Sequence, residues 1–143
     1  MRAGRARRAS LAAGSGALAL AVCGCGGIKA PDLFILQRTG SGPHARLTLL
    51  VNEEGVVHCN GRLAGKLGDE DIVKARAITE ELEKPAGEHL RLAARPGSVL
   101  AYSLRDANGT VSFADNSVGQ PKVLHELQLF VLETSQGVCR LPE

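Results

Sequence analysis

In Val99-Leu100-Ala101-Tyr102-Ser103-Leu104-Arg105-Asp106-Ala107-Asn108-Gly109-Thr110-Val111-Ser112-Phe113-Ala114, two short runs flank a segment rich in turn residues. Leu100, Tyr102 and Leu104 share one face of the first run, and Val111 and Phe113 share one face of the second. A period of two is that of a strand with one side buried. Asn108-Gly109 supplies the positive φ angles that a tight hairpin turn requires, so the two runs are predicted to pair as antiparallel strands.

Working outward from this hairpin, Pro121 is a favoured first helical residue because it has no N–H to leave unpaired, and a helix is expected over 121–136. Val123, Leu124, Leu127, Phe130 and Val131 form a wide apolar stripe, and Leu129 and Leu132 extend it almost around the circumference before Gly137 ends it. A helix this apolar should lie across a sheet. Upstream of the hairpin, 85–98 contains Pro85, Gly87, Pro96 and Gly97 and reads as irregular, with Leu90 and Leu92 alternating about Arg91 as a short edge strand. Before it, Asp69 is placed to cap a second helix over 69–84, and Glu70 and Asp71 complement the positive end of its dipole. Ile72, Ala75, Ile78 and Leu82 make its apolar face, and Pro85 marks its stop.

The same order, strands and then a helix, occurs earlier in the chain. Leu33-Phe34-Ile35-Leu36-Gln37-Arg38 and Arg46-Leu47-Thr48-Leu49-Leu50-Val51 are separated by Thr39-Gly40-Ser41-Gly42-Pro43 and read as a hairpin. Asn52-Glu53-Glu54-Gly55 is the next turn, and Val56-Val57-His58-Cys59 is a third strand that stops at Asn60-Gly61. The expected fold class is α+β: an antiparallel sheet of four to five strands with two helices packed on one face.

The N-terminal segment has another character. Arg2, Arg5, Arg7 and Arg8, with no acid, precede an apolar run over 11–22 that spans about a dozen residues, where a bilayer crossing needs roughly 20. A cleaved export signal over 1–24 is therefore expected. Val22-Cys23-Gly24-Cys25 resembles the bacterial lipoprotein box, with Gly24 directly before Cys25 and Val22 three residues before it. Cys23 would instead require cleavage after a β-branched residue. The resemblance implies that the Cys25 thiol receives a diacylglycerol and becomes the new N-terminus, with two acyl chains for stable membrane anchoring. An ordinary secretory signal with incidental cysteines is the alternative, and Arg7-Arg8-Ala9-Ser10-Leu11 is loosely similar to a twin-arginine export motif. Residues 25–31 then form a short Gly-containing tether, and 32–143 a single domain.

The formal charge of +2 belongs largely to this signal. Residues 1–24 hold four of the 17 Lys and Arg and none of the 15 Asp and Glu, which leaves 13 basic against 15 acidic residues, a net of −2, for 25–143. A nucleic-acid partner thereby loses its electrostatic basis. Phe34, Tyr102, Phe113 and Phe130 are the whole aromatic set, so the core must be mainly aliphatic and a covalent staple is useful. Once Cys23 leaves with the signal and Cys25 takes lipid, Cys59 and Cys139 are the remaining pair. Outside the cytoplasm such a pair reads as a disulfide, here closing a loop of 80 residues.

His44, His58, His89 and His125 are scattered and stand at no metal-binding spacing. No serine lies in a GxSxG elbow, and Asp106 and Asp115 are read more simply as turn and cap residues than as cation ligands. No catalytic, metal or cofactor residue is assigned. The element order over 34–131, with Tyr102-Ser103-Leu104 before the turn and Asp115 followed by Pro121 and a Leu-rich helix, resembles emfourin, a small inhibitor of thermolysin-like metalloproteases. That resemblance implies an inhibitor of an exported metalloprotease and carries over no inhibitory residue. The residues themselves lead to a non-enzymatic, lipid-anchored module on the extracytoplasmic face of the cell membrane. It is expected to bind a protein or peptide through the loops 39–45 and 85–98.

Overall fold

The alternating runs form strands and the helical repeats form helices in a computed structural model that describes residues 31–42 and 44–141. The export signal over 1–24, Cys25 and the tether as far as residue 30 lie outside the described residues. In chain order the elements are β1 (Asp32–Gly40), β2 (Leu47–Asn52), β3 (Val56–Cys59), β4 (Arg62–Lys66), α1 (Asp69–Gly87), β5 (Leu100–Arg105), β6 (Thr110–Ala114) and α2 (Lys122–Gln136).

The strands form one sheet in the order β4-β3-β2-β1-β5-β6, with every neighbouring pair antiparallel. β1, with its run of large apolar residues, takes a central place, paired with β2 on one side and β5 on the other. Directly paired residues share a face: Leu36 stands opposite Leu49 and Leu104, Leu49 opposite Cys59, and Leu104 opposite Val111. That face carries Phe34, Leu36, Leu49, Val51, Val57, Leu104 and Val111, all fully buried, and they form one core with Ala75, Ile78 and Leu82 of α1 and Leu124, Leu127 and Phe130 of α2. Phe130 meets Phe34 edge-on at 6.2 Å between centroids, and Tyr102 stacks on Phe113 at 5.0 Å. The opposite face, where Gln37, Ala101, Ser103 and Arg105 are exposed, has no helix over it among the described residues.

Among the described residues the sheet has six strands rather than four to five, and β4 is the addition. Asn60 (φ 53°) and Gly61 (φ 78°) are both left-handed, as a two-residue hairpin turn demands, and the chain turns there instead of ending its strand. The Asn60 side chain helps hold the turn, its Oδ1 accepting from the Thr48 N–H at 2.9 Å. β4 reads Arg-Leu-Ala-Gly-Lys and buries no residue fully, so it carries no apolar alternation to announce it.

The Asn108-Gly109 turn is built differently from expectation. Arg105 pairs with Thr110, which leaves four residues in the loop, and Asn108 is not left-handed. Asp106 makes the turn: its N–H donates to the Gly109 carbonyl at 3.1 Å, and its Oδ1 accepts from the N–H groups of Asn108 and Gly109 at 2.7 and 2.9 Å. Gly109 is needed because a β-carbon there would overlap the Ala86 carbonyl at the end of α1.

Both helix boundaries shift as well. α1 passes through Pro85 to Gly87: Pro85 forgoes one helical N–H bond, while the Glu88 N–H donates to Lys84 O at 3.0 Å across it, and the helix closes where left-handed His89 returns its N–H to Ala86 O at 2.9 Å. Its N-cap is Gly68 and no side chain caps it, so Asp69 contributes charge in the first turn and not a cap. Pro121 is the residue before α2 rather than its first. The 90–92 segment does join the sheet edge, through one parallel bridge from Arg91 to Ser112.

Candidate functional site

β1 runs nine residues from Asp32 to Gly40, which places its two ends roughly 27 Å apart at the rise of a strand. At the near end the chain enters the fold, with the Pro31 carbonyl accepting from the Glu53 N–H at 2.9 Å. At the far end the loop after β1 meets the segment before β5, because these strands are antiparallel neighbours with Gly40 opposite Leu100. The Ser41 N–H donates to the Val99 carbonyl at 3.4 Å, and a β-carbon on Gly40 would overlap that same carbonyl. The two loops singled out from sequence therefore come together, but only in part. Residues 85–87 belong to α1 and 90–92 lie along β6, so 93–98 is the portion that reaches the loop end.

A third segment, which follows β6 and was not picked out from sequence as a recognition loop, fixes this arrangement. The Asp115 carboxylate accepts from Ser98 Oγ at 2.7 Å and from the N–H groups of Val99 and Leu100 at 3.1 and 3.3 Å. Asn116 Oδ1 accepts from the Arg95 N–H at 2.9 Å, while its Nδ2 donates to the carbonyls of Arg95 and Pro96 at 3.1 and 3.2 Å. Ser117 Oγ accepts from the Ala114 N–H at 2.9 Å, and Gln120 Nε2 donates to the carbonyls of Ala114, Asp115 and Ser117. Gln128 of α2 donates in turn to Gln120 Oε1 at 2.8 Å, which ties the segment to the helix layer. The signal in the sequence was the run Asp115-Asn116-Ser117, three side chains that bond readily to backbone.

Buried Arg38 performs the same service for the first loop, donating from Nε to the Ala45 carbonyl at 3.1 Å and from a terminal nitrogen to the His44 carbonyl at 3.2 Å. Burial pushes the Tyr102 hydroxyl above its ordinary pKa, an effect the Arg38 charge opposes and the Asp115 charge reinforces. For Asp115, partial desolvation works against the charged form. The donors from Ser98, Val99, Leu100 and the Asn116 backbone outweigh it and hold the carboxyl below its usual value. The loop end is thus a set of short loops locked to one another by hydrogen bonds, with Arg46 and Arg95 exposed on it.

Elsewhere the expected positions separate. Asp106 and Asp115 sit at opposite ends of the β5–β6 hairpin, and His44, His58, His89 and His125 lie on different elements. Among the described residues no three His, Cys, Asp or Glu converge as metal ligands, and no helix is long and apolar enough to cross a membrane. A cleft of about 320 Å³ lies between β4 and the end of α2, and one of about 310 Å³ between the helices; neither is lined by His, Cys or Ser. Cys59, at the end of β3, and Cys139, just past α2, stand at disulfide distance with Cα atoms 5.8 Å apart. Comparison with protein-family models, with characterised proteins and with solved structures returns no match for this chain.

Proposed function

We propose that this chain is a lipid-anchored, extracytoplasmic module, non-enzymatic, that binds a protein or peptide through the loop end of its sheet. The observation that carries this reading is the placement of the locked loops at the end of β1 opposite Pro31. With diacylglycerol on Cys25 and a tether over 25–31 reaching at most ~20 Å, the entry end stays near the bilayer and the loops point away from it. Loops held on a rigid sheet lose little entropy on binding, which favours recognition. An exported location also favours oxidation of Cys59 and Cys139 to the bridge.

Two experiments test the parts separately. Cys25→Ala should move the protein from the membrane fraction to the soluble exported fraction; unchanged membrane retention would refute the anchor. Capture from detergent-solubilised envelope should lose its partner when Asp115→Ala and Asn116→Ala free the 95–99 loop, and retention of the same partner would refute the loop end as its site.

A second reading draws on the rigidity of that loop. A segment held by Asp115 and Asn116 from one side is suited to enter a protease cleft without being cleaved, as an emfourin-like inhibitor of an exported metalloprotease would. Titration of the protein into a thermolysin-like protease separates the two, since unchanged activity at high micromolar concentration would eliminate inhibition.

A further inference from the structure

The sheet ends differently on its two sides. At β6 the Leu92 N–H donates to the Ser112 carbonyl and the Ser112 N–H to the Leu90 carbonyl, both at 2.9 Å, so that edge is covered where they meet. At β4 the backbone pairs with β3 alone, and its outward N–H and C=O groups have no partner among the described residues. An open edge is a template for another extended chain.

Three observations specify which chain. Arg62 and Lys66 stand near the two ends of β4 with Arg140 beside the strand, all three exposed and none within ion-pair distance of a described carboxylate. The carboxylates in the adjoining cleft, Asp71 and Glu133, are held by Lys74 at 3.5 and 4.0 Å. The cleft itself, about 320 Å³, is lined by Gly65, Phe130, Thr134 and Val138, which leaves room for an apolar side chain on the helix side of an added strand. A second copy of this edge is a poor occupant, because it would bring its own exposed Arg62 and Lys66 against an edge that already carries Arg62, Lys66 and Arg140, and like charges brought together destabilise a pair.

We propose that β4 accepts an acidic, extended segment of a partner protein by strand addition. Ala64 is an extra residue in the β3–β4 register, so the carboxylates of the added segment lie against Arg62 and Arg140 on the helix face and against Lys66 on the open face, and one apolar side chain enters the cleft beside Gly65. This rests on the reading of the chain as a binding module and extends its site from the loop end along the sheet edge, since β4 starts at the Asn60-Gly61 turn of that same end.

The test uses the exported protein in detergent and fluorescent peptides followed by anisotropy. The probes are a short peptide of Glu residues with one central Val, its counterpart with Lys in place of every Glu, and the Glu peptide N-methylated at alternate amides. The Glu peptide should bind, the Lys peptide should not, and N-methylation or the Arg62→Glu/Lys66→Glu variant should weaken binding about tenfold or more. Equal binding of the N-methylated peptide would mean charge attraction without strand pairing and would overturn the proposal, as would equal binding of the Lys peptide or no binding at millimolar peptide. Capture from solubilised envelope by wild type and by the double variant separates the two levels. The same partner on both overturns the edge alone, and no partner on either overturns the binding module with it.

Discussion

Cys59→Ala combined with Cys139→Ala should remove the proposed bridge between the end of β3 and the tail that follows α2, two positions that stand at disulfide distance. The loop it opens is 80 residues long, which corresponds to about 4.5 kcal/mol of chain entropy restored to the unfolded state. The native tail does not depend on the bond for its position. The Cys139 N–H donates to Thr134 O at 3.0 Å, the Leu141 N–H donates to Ser135 O at 2.9 Å, and Val138 packs against Gly65 of β4. The variant should therefore fold to the same structure and lose stability through its unfolded ensemble. In a domain of this size, with roughly 5–15 kcal/mol in total, the midpoint should fall by about 15–20 °C. Guanidinium unfolding followed by far-UV circular dichroism measures this, with oxidised wild type, reduced wild type and the double variant side by side. Superimposable native spectra, a shared lower midpoint for the reduced and variant proteins, and a larger m-value for both are expected, because a chain without the cross-link exposes more surface on unfolding. A loss below about 1 kcal/mol, or a wild type indifferent to reductant, would refute the reasoning.

Other outcomes follow from single side chains. The folded pKa of Asp115 is depressed, so its stabilisation is fully present above the unfolded value of about 3.9 and is lost as pH falls through the folded value. Urea midpoints from pH 6 down to pH 2 should drop less steeply for Asp115→Asn than for wild type, and parallel curves would count against the hydrogen-bonded carboxylate. Gly109→Ala should cost about 1–3 kcal/mol through overlap with the Ala86 carbonyl, whereas Gly61→Ala, at φ 78° in open space, should cost only about 1 kcal/mol of backbone strain. Thermal melts that rank the two the other way would place the β5–β6 turn wrongly against α1. Leu104→Ala at a fully buried site should lose about 2–5 kcal/mol, while Leu63→Ala on exposed β4 should stay within about 0.5 kcal/mol in denaturant titrations.

The α+β class, seven of the eight elements among the described residues and the closeness of Cys59 to Cys139 are legible in the residues, because each rests on a local period, a turn residue or a count of cysteines. Leu100, Tyr102 and Leu104 alternate because one side of β5 is buried, and Ile78 and Leu82 repeat because one side of α1 is. Where nothing is buried the pattern is silent, which is why β4 escapes notice although Asn60-Gly61 is the Asn-Gly pair that forms a two-residue hairpin turn. The same rule overreaches at Asn108-Gly109, since the close approach of Ala86 and the Asp106 side chain, neither adjacent to Asn108, decide the turn there. The boundaries at Pro85 and Pro121 shift by a residue or a few: Pro85 gives up one helical bond but is bracketed by the Glu88–Lys84 and Leu90–Pro85 bonds, and Pro121 stands at the cap, where its missing N–H costs nothing.

The candidate surface divides along the same line. Sequence by itself determined which segments are strands, helices and loops, and it marked 39–45 and 85–98 as irregular. Only the tertiary structure decided that 93–98 joins the first loop, that Asp115, Asn116 and Arg38 lock them in place, and that β4 leaves one sheet edge open with Arg62, Lys66 and Arg140 along it. The physical reason is range: periodicity and turn chemistry act over a few neighbouring residues. The loop end and the open edge arise from strand order, which brings together residues separated by dozens of positions.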